Sequence, residues 1–366
     1  MTKRRSPAKD SFLQAPVRPI EATTPQSTDD LLTRMERISF QGRNLATARR
    51  IWERMIADDV LIFFGMAGAL TAGGLRLTVA DLIHKRAFDC LISTGANLYH
   101  DLHETRGQHH YLGSHKVNDA VLQAENIDRV YDTYIDEDEF IDNDNWVSDF
   151  ASELEPRPYT SRDFLHQLGG YLWKQTGADG ILTAAYRHNL PIFCPAIADS
   201  SLGMGLSQAR HINQNVGQID VIGDIIESAN LINQHPRTAS VVLGGGTPKN
   251  FINQASVQAA FYDPAVTGHQ YAVQIVTDVP HFGGASGSTL EEAQSWGKLS
   301  IDADQITVHA DATLAFPLLT SALFDSAAKA LKNRGSPKFD TEGRSLVMDG
   351  YHIPSGRFLI TNNQEP

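Results

Sequence analysis

VLIFFG (60–65), LTVADLIHKRAF (77–88) and DCLIST (89–94) follow one another as an apolar run, a helical pattern and a second apolar run. The two runs are almost continuously apolar instead of alternating, as in strands buried on both faces of a parallel sheet. The same unit recurs. Further runs are LPIFCPA (190–196), SVVLGGG (240–246), YAVQIVTD (271–278) and QITVHAD (305–311), with helical patterns such as IDVIGDIIESANLIN (219–233) between them. Upstream, DDLLTRMERI (29–38) and NLATARRIWERMI (44–56) are helical, the second placing Leu45, Ala48, Ile51, Trp52 and Met55 on one stripe. Strands alternating with helices predict an α/β fold with a parallel six-stranded sheet covered by helices on both faces.

The composition agrees with that class. The chain has 366 residues, 42% hydrophobic and 20% charged, the composition of a globular protein. Residues 1–28, rich in Pro, Ser, Thr and Gln and without periodicity, read as a flexible N-terminal arm, and 29–366 as a single domain. The net charge of −12 argues against a protein that holds nucleic acid phosphates. Neither a signal-peptide h-region nor a membrane-spanning apolar stretch is evident. Cys90 and Cys194, both in apolar runs, form no disulfide framework. The expected location is the cytoplasm. Eight carboxylates and no Lys or Arg fall in 131–150, which reads as a solvated acidic loop or helix start; a calcium loop would need a ligand register and central Gly that are lacking.

Several predicted strands end on Gly, Thr or Asp, and ligands of such sheets bind beyond the carboxyl ends. The G-x-G-x-x-G fingerprint is missing. GMAGALTAGG (65–74) and LGGGTPKNF (243–251) are either plain tight turns or phosphate-receiving helix starts, and the pattern alone does not decide between them. HDLHETRGQHHYLGSH (100–115) carries five histidines, but spacings of three and then six residues without Cys match no closed zinc site, so no metal is expected.

The segment GGASGSTLEEAQSWGKLSIDADQITVHADATLAFPLL (283–319) is more specific. Glu292-Ala293-Gln294-Ser295-Trp296-Gly297-Lys298, followed by Ala310-Asp311-Ala312-Thr313-Leu314-Ala315-Phe316-Pro317-Leu318, resembles the reactive-lysine region of the deoxyhypusine synthase family. PAIADSSLG (195–203) and LGGG with Lys249 match in the same order, and the resemblance spans roughly 40–330.

The resemblance implies an NAD-dependent aminobutyl transferase. In the family, a carbon next to the secondary amine of spermidine or a similar polyamine loses hydride to NAD. The aminobutyl fragment then passes through a Schiff base on the lysine, here Lys298, to an acceptor amine, and the hydride returns. The acceptor is a protein lysine or, in a homospermidine synthase-type enzyme acting on putrescine, a small diamine. A non-catalytic relative that binds NAD or polyamine is a further alternative. A lysine attacks an imine only when neutral, so Trp296 and Gly297 are expected to bury Lys298. The resemblance also implies a Rossmann-like α/β fold and a homotetramer with sites at a dimer interface. It places NAD at Gly68, Ala69, Leu70, Thr71, Ala72, Thr94, Gly95, Ala96, Asp199, Gly245, Thr277, Asp278, Asp311 and Ala312, and the amine at Glu292, Trp296, Ser286, Gly283, Asn250 and His100.

There are departures. The family's T-S-N-L-I-S-S-G is here Ala67–Gly74, two glutamates are Tyr99 and His100, two spermidine-binding aspartates are Met204 and Ala285, and the active-site histidine is Asn250. Asn cannot act as a base, so His100 or His281 would have to substitute. In the tail, LVMDGYHIPSG (346–356) looks like a short hairpin.

Overall fold

All six residues of β1 (Leu61–Met66) are buried, and so are the four of β2 (Cys90–Ser93). Continuous burial is what a strand covered on both faces requires. A computed structural model of the chain describes residues 9, 12–214, 216–235, 237–284, 288–334, 338–340 and 346–349. With β3 (Ile192–Phe193), β4 (Thr238–Leu243), β5 (His269–Val276) and β6 (Leu299–His309), the strands form one parallel sheet in the order β6-β5-β4-β1-β2-β3. This is the doubly wound order, whose direction of winding reverses between β1 and β4 and opens a crevice at their carboxyl ends.

In chain order the principal helices are α1 (Thr28–Met35), α2 (Phe40–Ala57), α3 (Arg76–His84), α4 (Gly95–Thr105), α5 (Glu137–Ser152) and α6 (Ser161–Thr176). They continue with α7 (Ile181–Arg187), α8 (Ser201–Ile212), α9 (Val221–Gln234), α10 (Gly246–Tyr262), α11 (Leu290–Ser295) and α12 (Ala312–Ser326). One sheet face, presenting Phe64, Leu91, Val241 and Val273, packs under α2, α3, α4 and α12. Trp52 is its centre: fully buried, stacked on Phe64 at 6.1 Å and Phe316 at 6.5 Å, with its indole N–H donating to Ala87 O at 3.0 Å. The opposite face, with Phe63, Cys90, Ile92 and Val242, packs under α9 and α10 and under Phe339, Leu346 and Met348 of the tail.

Some expectations shift. The sixth strand begins at Leu299 instead of 305, because 300–303 bulge out between the pairs His269–Leu299 and Tyr271–Asp304. A small antiparallel sheet of Tyr111–Leu112, Thr133–Asp136 and Ile127–Val130 was not anticipated. The acidic stretch is largely α5, N-capped by Asp136 with Glu137, Asp138 and Glu139 in its first turn, where the helix dipole favours negative charge. It is not all solvated, since Asp142 pairs with Arg106 at 3.0 Å and Asp144 accepts from Tyr99. The tail hairpin pairs Lys338–Asp340 with Val347–Asp349, so it starts before the predicted 346–356, of which 350–356 lies outside the described residues. Among the described residues no helix is long and apolar enough to cross a membrane.

Candidate functional site

The loops that leave the carboxyl ends of the strands are tied to one another by the backbone. Ala67 N donates to Leu243 O (3.1 Å), Thr94 N to Met66 O (3.1 Å) and Gly244 N to Ile275 O (2.7 Å). Thr94 is the N-cap of α4, but its hydroxyl donates to Gly68 O at 2.7 Å instead of capping the helix. Asn97, fully buried, completes the arrangement: its amide donates to Met66 O (3.2 Å) and Thr94 Oγ1 (3.0 Å) and its Oδ1 accepts from Thr71 N (3.2 Å). The Gly68–Ala72 turn is thereby fixed against the start of α4. Gly68 has φ +69°, with open space where a side chain would stand. A Cβ on Gly95 would lie 2.1 Å from Ser200 Oγ, so glycine there lets the Asp199–Ser200 turn close on α4.

Gly245 begins α10 without a side-chain cap, as Thr94 begins α4. Two such helix ends beside an open glycine turn at the switch point fit the pyrophosphate of a dinucleotide. Thr277 and Asp278 follow β5, and Asp311 N-caps α12 through Thr313 N at 2.7 Å, with Ala312 opening that helix. The Thr313 hydroxyl holds the Asp311 carboxyl below its ordinary range, so it is ionised near neutrality. Asp199 and Asp311 are both exposed on this edge. The cofactor positions read from the sequence therefore stand together along the carboxyl edge.

The lysine block lies on the sheet face shared with α10. Ala272, Leu290, Ala293 and Leu299 bury α11 against β5 and β6. Its start is a capping box: Glu292 N donates to Thr289 Oγ1 (3.0 Å) and Thr289 N to Glu292 Oε2 (2.6 Å). One oxygen of Glu292 thus serves the helix. Gly297, at φ +68°, turns the chain so that Lys298 O accepts from His269 N at 3.1 Å.

The expectation that Trp296 and Gly297 bury Lys298 needs correction. Trp296 is 68% exposed, and Lys298 Nζ, half-buried, stands 5.4 Å from the centre of its ring. The buried amine is Lys249, only 1% exposed, whose Nζ donates to Ser288 O at 2.6 Å. Burial, and next the charge of Lys298, push its pKa down to about 8. The sequence reading used Lys249 as a motif match and left it out of the site; its place in the first turn after a triple glycine was the available signal. Asn97 had none.

Other predicted residues fall elsewhere. Asn250 is exposed and lines a groove of about 280 Å³ between α9 and α10. Gly283 is exposed at φ +79°, and Ser286, with Ala285, lies outside the described residues. Met204 is 59% exposed on α8. His100 sits on the opposite sheet face from Lys298, on the helix that follows β2, three strands from β5 (~14 Å at ~4.8 Å per strand). It is locked there: Nδ1 bonds His110 Nε2 at 2.8 Å, the ring packs on Phe140, and burial lowers its pKa to about 3. One chain by itself therefore does not bring His100 to Lys298. Among the described residues no group of three or more His, Cys, Asp or Glu is disposed to hold a metal. Ser288, which accepts from Lys249, also lines a cavity of about 260 Å³ with Gln274, Thr289, Glu291, Gln305 and His309, among others.

Comparison with known proteins adds a second line of support. The sequence profile of the deoxyhypusine synthase family matches residues 30–323. The chain is 42% identical to "Probable deoxyhypusine synthase 2" of Methanosarcina mazei, over 91% of this chain and 96% of the relative. It is 43% identical to the protein of that name from Archaeoglobus fulgidus, over 79% and 95% of the two chains. Identity to a "Deoxyhypusine synthase-like protein" of Coxiella burnetii is 39%, over 86% and 90%. A crystal structure assigned as a deoxyhypusine synthase from Entamoeba histolytica superposes with a TM-score of 0.57 at 18% identity, over 88% of this chain and 99% of that one, which speaks to the fold.

Proposed function

This chain belongs to the deoxyhypusine synthase family, and from that premise we propose that it is an NAD-dependent transferase of aminobutyl groups. It takes the group from spermidine or a similar polyamine, carries it as a Schiff base on Lys298 and delivers it to an acceptor amine. The observation that carries this reading is the reactive-lysine block standing beside a second, buried lysine on the helix whose start lies at the dinucleotide crevice. Bound NAD would supply a reversible hydride sink, held by Gly68–Ala72, Thr94–Ala96, Asp199, Gly245, Thr277, Asp278, Asp311 and Ala312. Glu292 and Glu291 supply negative charge near Lys298 and Lys249 to which an ammonium group can bind. Trp296 offers an apolar face to the methylene chain.

Met204 and Ala285, in place of two acids, favour an acceptor that differs from the family's usual lysine-bearing protein, and a small diamine is the simplest. We place the protein in the cytoplasm as a homotetramer whose N-terminal residues 1–28 act as an arm on the single domain 29–366. Assembly is supported by the outer surface of α9 and α10, where Val221, Ile222, Ile225, Ile226, Phe261 and Tyr262 are exposed. The charged residues of these two helices, Asp224, Glu227 and Lys249, are all buried.

The test is incubation with NAD and spermidine or putrescine, reduction with borohydride, and mass analysis of the Lys298 peptide. An added aminobutyl mass supports the reading, and no increment with any polyamine sinks it. Steady growth of NADH absorbance would point instead to a simple dehydrogenase.

A further inference from the structure

We infer that a cavity at the amino edge of the sheet binds the primary ammonium group of a short aliphatic amine. The cavity measures about 340 Å³ and lies between the last turn of α9, the loop 263–268 and the first residues of β4 and β5. The cofactor positions proposed above stand at the other ends of the strands. The cavity wall backs onto the turn that carries Lys298: a Cβ on Gly268, at φ +93°, would lie 2.9 Å from Gly297 O and 2.6 Å from the carbonyl carbon of Leu299. The inference does not depend on the Schiff-base reading.

Two helices end here. Ile232, Asn233 and Gln234 close α9, and Asp263 is the C-cap of α10, so the negative ends of two helix dipoles meet at the cavity. Neither helix has a basic residue in its last turn, and among the described residues no lysine or arginine lines the wall. Arg237, close in the chain, pairs instead with Asp58 at 3.4 Å. One oxygen of Asp263 accepts from Ala265 N at 3.0 Å, and among the described residues no basic side chain pairs with this carboxylate. The field in the cavity favours a cation.

The hydrogen bonds left open say which kind. Thr238 N donates to Gln270 Oε1 (2.8 Å), Thr238 Oγ1 bonds His269 Nδ1 (2.7 Å) and Gln234 Oε1 accepts from Met348 N (3.3 Å), so these groups are taken. Asn233 Oδ1 is buried and, among the described residues, accepts from no donor. A buried acceptor left without a donor costs stability, which a ligand that supplies one recovers. With the Asp263 carboxylate and the Thr267 hydroxyl, three acceptors line one cavity. A primary ammonium carries three N–H donors. Ile232 and Val266 add apolar surface for methylenes. Among the described residues no group of three or more His, Cys, Asp or Glu is disposed to hold a metal, which points to an organic cation. Ligand pockets usually run to roughly 300–1,000 Å³, and a cavity at the low end of that range suits a chain of a few carbons.

The experiment is hydrogen exchange of the full chain, read by mass on peptides, with putrescine, potassium chloride or tetramethylammonium chloride at one ionic strength. Putrescine should slow exchange saturably in peptides covering 231–235 and 263–270, and neither salt should. Asp263→Asn alters an exposed residue, keeps an acceptor for Ala265 N and removes the charge. It should raise the half-saturating putrescine concentration at those peptides by about tenfold, and Asn233→Leu should do the same. The inference is overturned if putrescine leaves these peptides unchanged in the wild type, or protects only 68–72 and 94–96 at the carboxyl edge. It is also overturned if either salt protects them as fully as putrescine, or if Asp263→Asn saturates at the wild-type concentration.

Discussion

Asp224 and Asp101 are buried carboxyls whose pKa values burial raises, to about 7 and about 6. Each accepts backbone N–H donors, Asp224 from Ser161 (2.8 Å) and Asp101 from Ile181 (2.7 Å) and Leu182 (2.8 Å), but these only partly offset desolvation. A raised carboxyl contributes stability that is complete below its unfolded value near 4 and is lost as pH rises through the folded value. His100, His103 and His269 are lowered by burial to about 3, 4 and 4, so their contribution is complete above about 6.5 and lost as pH falls toward those values. Urea unfolding should therefore weaken in both directions from mildly acidic pH. Asp224→Asn keeps an acceptor for Ser161 N and removes the charge. It should raise stability at pH 8 by about 2–4 kcal/mol and leave it nearly unchanged at pH 4, and an unaltered pH slope would contradict this. At this scale the sequence names lysines, acids and histidines but not which are buried. Lys249 and Lys298 differ little as text; α10 buries one, and the turn at Gly297 leaves the other half-open beside an exposed indole.

Among the elements, the contact between α4 and the turn before α8 is the most sensitive to a single atom. Gly95→Ala would put a methyl 2.1 Å from Ser200 Oγ and 2.4 Å from Ser200 Cβ, pushing the Asp199 turn away from the crevice. A lowered Tm and a lost thermal shift with NAD are expected, and the double variant with Ser200→Gly should recover both; a double variant as impaired as the single one would refute the steric account. The capping box of α11 gives a second measurement. Thr289→Ala should cost about 1 kcal/mol by removing the hydroxyl that accepts from Glu292 N, read by chemical denaturation. Strands β1 to β5 were legible because burial on both faces writes an unbroken apolar run. The start of β6 was not: it forms the sheet edge, and Ser300–Ala303, exposed or half-exposed, leave the pairing register. The small sheet at 111–136 was silent for a related reason, since Tyr111 and Leu112 are both exposed and its other strands are half-covered, so no period marks them.

For the whole molecule the charge of −12 matters through where it is absent. Two copies of such a chain repel over most of their surfaces, whereas no residue within α9 or α10 exposes a charge; the exposed carboxylates beside them are the caps Asp220 and Asp263. An uncharged apolar face is self-complementary under a two-fold axis. Ile222→Glu together with Phe261→Glu should lower the solution mass in light scattering without lowering the monomer's helix content; a mass unchanged from wild type removes this face from the assembly. A different long-range tie holds the sheet's amino end. The side chain of Arg334, fully buried, pairs with Asp89 at 2.6 Å and donates to Arg86 O and Val60 O, so Arg334→Met should cost about 3–5 kcal/mol by removing the ion-pair partner of buried Asp89.

By itself the sequence determined the parallel doubly wound sheet, its carboxyl-edge glycines and acids, and the family to which the lysine block belongs. Each is written locally, as apolar runs, turn residues or a contiguous motif. Tertiary structure decided which amine is buried, that a carboxylate oxygen of Glu292 closes a helix cap, and that His100 is bound in a histidine cluster across the sheet. Those properties depend on which distant segments the chain packs against a residue, and desolvation and neighbouring charge exist only once that packing has formed.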